Sequence, residues 1–106
     1  MIYLIDHQDS FTFNLAHLLE HFDEVYVSNY FEINKYQLNK SSLVVFSPGP
    51  GGPKDYPRSN SIYQQLKGKK KILGICLGFQ QILFNENGKI IQQKKFIMVF
   101  SLKSRF

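Results

Sequence analysis

Short apolar runs alternate along this chain with stretches whose apolar residues recur at helical spacing. Ile2–Ile5 is the first run and predicts a strand. The polar segment Asp6-His7-Gln8-Asp9-Ser10 ends in residues suited to cap a helix. Phe11, Leu15, Leu18, Leu19 and Phe22 then fall on one face of a helix predicted over 11–21. Residues 24–28 alternate around Val25 and Val27 and predict a second strand, and 32–39 predict a weak helix around Ile33, Tyr36 and Leu38. Leu43-Val44-Val45-Phe46 is apolar without interruption, as a central parallel strand buried on both faces requires. It opens into Ser47-Pro48-Gly49-Pro50-Gly51-Gly52-Pro53, whose prolines and glycines exclude regular structure. A helix over 59–66, a strand over 72–75 and a helix from Leu77 to about Asn85 follow. Asn87-Gly88 reads as a hairpin-type turn leading into residues 89–93.

Strands alternating with helices predict a doubly wound, mainly parallel α/β sheet. Ligands of such sheets sit beyond the carboxyl ends of the strands. The loops 6–10 and 47–53 and the residue Cys76 all follow predicted strands. They are therefore expected at one edge, as parts of one site.

Cys76, the only cysteine, lies in Gly74-Ile75-Cys76-Leu77-Gly78-Phe79-Gln80, where a strand turns directly into a helix. Gly74 and Gly78 leave room for a tight turn around it. The positive end of the following helix favours thiolate, the nucleophilic form. A lone cysteine is more often structural, but the paired glycines and Gln80 favour a nucleophile here.

Composition narrows the setting. With 106 residues the chain holds at most one domain, and 43% apolar content is ordinary for a globular protein. No segment approaches the roughly 18 uninterrupted apolar residues of a membrane span, so no membrane partner is expected. A start directly in a strand, without a signal-peptide pattern, together with a single cysteine, leads to a cytoplasmic expectation. The net charge of +5 owes much to Lys67, Lys69, Lys70, Lys71, Lys94 and Lys95. Without aromatic interleaving these read as a solvated helix end and strand lead-in, with no nucleic-acid partner. His17 and His21, one turn apart, have no third ligand pattern beside them and read as a solvated helix face rather than a metal site. Asp6, Asp9 and Ser10 suggest a phosphate acceptor or, in the preferred reading, a structural brace for the first helix.

Three motifs together carry a family likeness: Asp6-x-x-Asp9-Ser10-Phe11-Thr12-Phe13-Asn14-Leu15, Ser47-Pro48-Gly49-Pro50-Gly51-x-Pro53 and Gly74-Ile75-Cys76-Leu77-Gly78-x-Gln80. In order and spacing they resemble the class I glutamine amidotransferases, in particular the small subunits of chorismate-using synthases that make anthranilate or aminodeoxychorismate. The likeness spans residues 1–95 and implies the N-terminal part of a flavodoxin-like, doubly wound sheet, incomplete in this chain. It also implies glutamine as substrate, no cofactor, no metal, and a chorismate-binding synthase subunit (component I) as partner. By position, Cys76 would be the nucleophile, with the backbone N–H groups of Leu77 and Gly49 as the oxyanion hole. Gly49, Pro50, Gly51 and Gln80 would bind glutamine. One departure is His7-Gln8, where the family usually has an amide and an aromatic; this is read as a change of loop surface only. The alternatives are a non-catalytic module that docks on the synthase partner, and a cysteine hydrolase of another class.

The family's catalytic histidine and glutamate lie far downstream of the cysteine, whereas His7, His17 and His21 all precede Cys76 here. The chain is therefore expected to be inactive alone. Residues 96–106 do not continue the likeness; rich in Phe, Ile, Met and Val, they are expected either to pair with an open strand edge or simply to add to the exposed, aggregation-prone apolar surface. Met98-Val99 forces the bases ATG-GT, so the frame displaced by one base encodes glycine at that point, and Ile97-Met98 permits a histidine before it. The expectation is a lost adenine in the tract encoding Lys94-Lys95. Sequencing the gene checks this, and a displaced frame that lacks a later His-x-Glu refutes it.

Overall fold

The computed structural model describes residues 1–8, 10–75, 77–85 and 97–100, with the backbone alone for 77–79 and 97–100. Parallel strands alternate with helices: β1 (Ile2–Asp6), α1 (Thr12–Leu19), β2 (Val25–Asn29), α2 (Lys35–Lys40), β3 (Leu43–Phe46), α3 (Pro57–Leu66), β4 (Lys71–Ile75), α4 (Leu77–Asn85) and β5 (Ile97–Phe100). The sheet order is β2-β1-β3-β4-β5, and every pairing is parallel. This is the flavodoxin-like order, with β1 and β3 flanking the point where the chain reverses its direction across the sheet. β5 pairs with β4 from Ile72↔Ile97 to Ile75↔Phe100, so the apolar segment after Lys95 takes the edge that β4 would otherwise expose.

Two apolar layers hold the helices on opposite faces. Tyr3, Ile5, Val44, Phe46 and Ile72 point to one face, where Leu38 of α2, Ile62, Tyr63 and Leu66 of α3, and Ile82 of α4 cover them. Ile2, Leu4, Val45 and Ile75 point to the other, against Leu15 and Ala16 of α1. Val44, Val45 and Phe46 are all 0% exposed, the burial on both faces that the uninterrupted run demands. Among the described residues no helix is long and apolar enough to cross a membrane.

Several boundaries differ from the sequence expectation, each for a local reason. α1 does not reach His21, and Ser10 is not its cap. The helix starts after Phe11, which makes no side-chain cap bond, while the Asp6 carboxylate receives the Thr12 hydroxyl at 2.8 Å. α1 rests on the sheet through Leu15 and Ala16, which turns Leu18 and Phe22 outward, 54% and 82% exposed. α2 starts only at Lys35, because the Asn34 side chain accepts the Gln37 N–H at 3.1 Å and caps it there; Tyr36 is left on the surface. α3 starts earlier than expected, at Pro57, since a proline suits the first turn of a helix. Pro53–Asp55 forms a single 3-10 turn that starts at the last residue of the segment 47–53 expected to be irregular. Lys70 is not simply solvated: its ammonium donates to the carbonyls of Asn39 at 2.7 Å and Ser41 at 2.5 Å, closing the C-terminal end of α2. The Asn87-Gly88 turn and residues 89–93 lie outside the described residues.

Gln81 is 0% exposed on α4, and neither Oε1 nor Nε2 has a hydrogen-bond partner among the described residues. A buried, unpaired amide destabilises a fold by about 1–3 kcal/mol. Gln81→Leu is therefore expected to raise stability by about that amount in urea unfolding. A loss of stability would mean that this amide has a partner.

Candidate functional site

The register places the ends of β1, β3 and β4 side by side, with Ile5 opposite Phe46 and Phe46 opposite Gly74. The segments that follow these strands therefore meet at one edge of the sheet. At the end of β1, Asp6 Oδ1 accepts the Gln8 backbone N–H at 2.7 Å and the Thr12 hydroxyl at 2.8 Å. Gln8 itself sits at φ 62°, a left-handed conformation that a side chain makes costly and that the Asp6 bond holds in place. Asp6 thus braces the entry to α1. Asp9 lies outside the described residues.

His7 corrects the sequence reading most sharply. It is not a surface feature of the loop but 0% exposed. Its Nδ1 lies 3.2 Å from the Ser47 carbonyl and 3.3 Å from the Ser47 hydroxyl, and its Nε2 lies 2.9 Å from the Ser59 hydroxyl. Its backbone N–H donates to Ser47 Oγ at 3.1 Å. A carbonyl oxygen only accepts, so Nδ1 carries the proton and Nε2 accepts from Ser59. The ring stacks between Tyr30 (5.9 Å) and Phe46 (6.3 Å), with the Tyr56 ring edge-on at 4.8 Å. Burial pushes the imidazole pKa from 6.5 down to about 4, against the Ser47 carbonyl and the Asp6 carboxylate, which both raise it. His7 is neutral in the folded protein at pH 7. The signal was present in the alternation of β1: Tyr3 and Ile5 face α2 and α3, and position 7 continues that face.

The loop after β3 is held along its length. Ser47 N–H donates to Ile5 O at 3.2 Å and Ser47 Oγ to Pro48 O at 2.9 Å. The Tyr56 hydroxyl donates to Pro50 O at 2.6 Å, and Asn60 Nδ2 donates to Pro53 O at 2.9 Å. Burial, with the nearby Tyr30 and Asp55, pushes the Tyr56 hydroxyl pKa up, which keeps its proton available for the Pro50 bond. Gly51 is at φ +80°, and a Cβ there would lie 2.5 Å from Asp55 Oδ2, the carboxylate that accepts the Gly52 N–H at 2.9 Å. Gly49 is half-buried and Pro50 exposed.

β4 ends at Ile75 and α4 begins at Leu77, so position 76 alone separates strand from helix. Cys76 itself lies outside the described residues, and of Leu77 only the backbone is described. Gln80 is exposed on the first turns of α4. At the far end of this helix, Asn85 Nδ2 donates to Asn60 Oδ1 at 2.9 Å and to Gln81 O at 2.8 Å. Asn60 therefore ties α4 to the Pro53 carbonyl of the loop. No local pattern singles out Ser59, Tyr56 or Asn60, whose partners include residues remote in the chain. His17 on α1 and His21 just beyond its end are exposed, with rings 5.6 Å apart.

Fold and site together define a flavodoxin-like α/β protein whose strand ends bring a Pro-Gly loop beside a strand-to-helix junction. The profile of the "Glutamine amidotransferase class-I" family matches residues 3–101, and the chain belongs to that family. The match reaches into residues 96–106, which the sequence reading sets apart. Anthranilate synthase component 2 of Lactococcus lactis is 42% identical over 91 residues, covering 85% of this chain and 46% of that protein. Its counterpart in Cyanophora paradoxa is 40% identical over 100 residues, covering 92% and 53%. The chain thus spans about half the length of these relatives. The crystal structure of a Thermoplasma acidophilum protein described as a GMP synthase subunit superposes with a TM-score of 0.65 at 22% identity. It covers 80% of this chain and 44% of that one, and shares the fold.

Proposed function

We propose that this chain carries the nucleophile half of a glutamine amidotransferase site and serves a chorismate-using synthase of the anthranilate type. The observation that carries the reading is the meeting, at one sheet edge, of the pinned 47–53 loop with the β4–α4 junction, since α4 packs against the Pro53–Asp55 turn. The two relatives named for anthranilate synthase support the choice of partner, a chorismate-binding component I.

In this reading the Cys76 thiolate attacks the side-chain carbonyl carbon of glutamine, and the N–H groups of Leu77 and Gly49 receive the developing oxyanion. Such prearranged donors are worth about 3–4 kcal/mol each in acyl transfer. The tetrahedral adduct expels ammonia, whose nitrogen takes up a proton, and leaves a glutamyl thioester. Water then cleaves the thioester to glutamate and regenerates the thiol. Gly49, Pro50, Gly51 and Gln80 would hold the substrate. The step needs a general base beside the thiol. His7 is committed to Ser47 and Ser59, and His17 on α1 and His21 just beyond it are exposed. The chain as it stands is therefore expected to release no ammonia from glutamine.

Alkylation of Cys76 tests the binding half without turnover. A chloroketone analogue of glutamine should label Cys76 faster than iodoacetamide does, and free glutamine should protect it. Equal rates without protection would sink the reading, whereas steady ammonia release would overturn the expectation that the chain lacks a general base beside Cys76.

A further inference from the structure

We infer that His7 is a positioning residue that sets the 47–53 loop against the sheet edge, through Ser47 on one ring nitrogen and Ser59 on the other. This rests on the amidotransferase reading for its consequence, but its physical content is independent of it. The three elements concerned are far apart in sequence: His7 follows β1, Ser47 follows β3, and Ser59 lies in the first turn of α3. Without the imidazole the Ser47 carbonyl and the Ser59 hydroxyl would lose their bonds to it.

The geometry argues for positioning rather than mere packing. The imidazole is the joint between the two ends of the loop: Ser47 opens it, while Ser59 belongs to the helix whose neighbouring Asn60 holds the Pro53 carbonyl that closes it. Tyr56, edge-on to the same ring, holds the Pro50 carbonyl between them. The ring therefore fixes the separation of β3 from α3 at the height where Gly49, Pro50 and Gly51 are presented. An apolar ring of similar size would fill the space and leave both polar arms empty. A displacement of about 1 Å in such a loop can cost a hundredfold in reactivity.

Hydrogen exchange and Cys76 labelling on the full chain test this with three variants. His7→Phe keeps an aromatic ring and removes both arms; Ser59→Ala removes only the Nε2 arm; His7→Asn keeps a donor near the Nδ1 position and also lacks the Nε2 arm. In His7→Phe the amides of Gly49, Gly51 and Gly52 are expected to exchange about tenfold faster, with β3 and the centre of α3 within about twofold of the parent. Ser59→Ala and His7→Asn should match each other and fall between. The ratio of chloroketone to iodoacetamide labelling should drop in the same order, whereas general destabilisation would raise both rates together. Loop exchange within twofold of the parent in a folded His7→Phe overturns the inference. So does faster exchange spread evenly over β3 and α3. If the parent chain shows no glutamine protection, the amidotransferase reading fails, and the exchange arm still decides the role of His7.

Discussion

Lowering the pH from 7 to 4 is expected to cost the protein about 3 kcal/mol of folding stability through His7 alone. The sign follows from the pKa in each state. The unfolded imidazole titrates near 6.5 and the folded one at about 4, so between these values the unfolded chain binds the extra proton. Stability is full above about pH 6.5, falls as the pH drops towards 4, and is not lost further through this group below it. The cause is the dry setting between Tyr30, Phe46 and Tyr56; Asp6 is the charged group named beside it, and it opposes the effect. Urea unfolding of the parent and of His7→Asn at both pH values isolates the contribution, because the carboxylates contribute equally to both proteins. Equal pH slopes in the two would refute it, as would an imidazole NMR titration centred near 6.5.

Phe46→Ala is expected to remove about 3–5 kcal/mol, enough to unfold a marginal domain. Phe46 is 0% exposed on the central strand, with the Tyr63 ring at 6.2 Å and the His7 ring at 6.3 Å. The cavity would open beneath both α3 and the site edge. Phe22→Ala is the control: that ring is 82% exposed, and its truncation should change stability by no more than about 0.5 kcal/mol. Denaturant midpoints compare the two directly. A loss below about 1 kcal/mol at Phe46, or an equal loss at Phe22, would contradict this packing.

The pair shows where sequence patterning stops. Phe22 and Leu18 belong to the same helical stripe as Leu15, and by spacing alone all three read as core. The choice among them is made by how α1 lies on the sheet, a tertiary fact: Leu15 and Ala16 join Ile2, Leu4 and Val45 in the core and Leu19 packs against it, whereas Leu18 and Phe22 face outward. In the same way Tyr36 and Leu38 share the apolar character of the second helix, yet only Leu38 reaches the core.

His7 illustrates the opposite error. Its polarity and its place in a loop of charged and amide residues suggest surface, and only the neighbours contributed by β3 and α3 make its burial tolerable. A polar group can be buried when its bonds are satisfied, and the satisfying partners here lie 40 and 52 residues away. Local pattern carries no record of partners at that range.

Local pattern was nevertheless enough to set the succession of strands and helices from β1 to α4 and the parallel class of the sheet, though not the strand β5 at 97–100. These follow from hydrophobic period, from proline and glycine placement, and from the geometry of parallel strands, all of which act over a few residues. Three outcomes had to wait for the assembled fold: which apolar side chains are core, that His7 joins the 47–53 loop to α3, and that Asn60 and Asn85 tie the same loop to α4. They depend on hydrogen bonds and contacts between segments remote in sequence, which exist only once the sheet has brought its strand ends together.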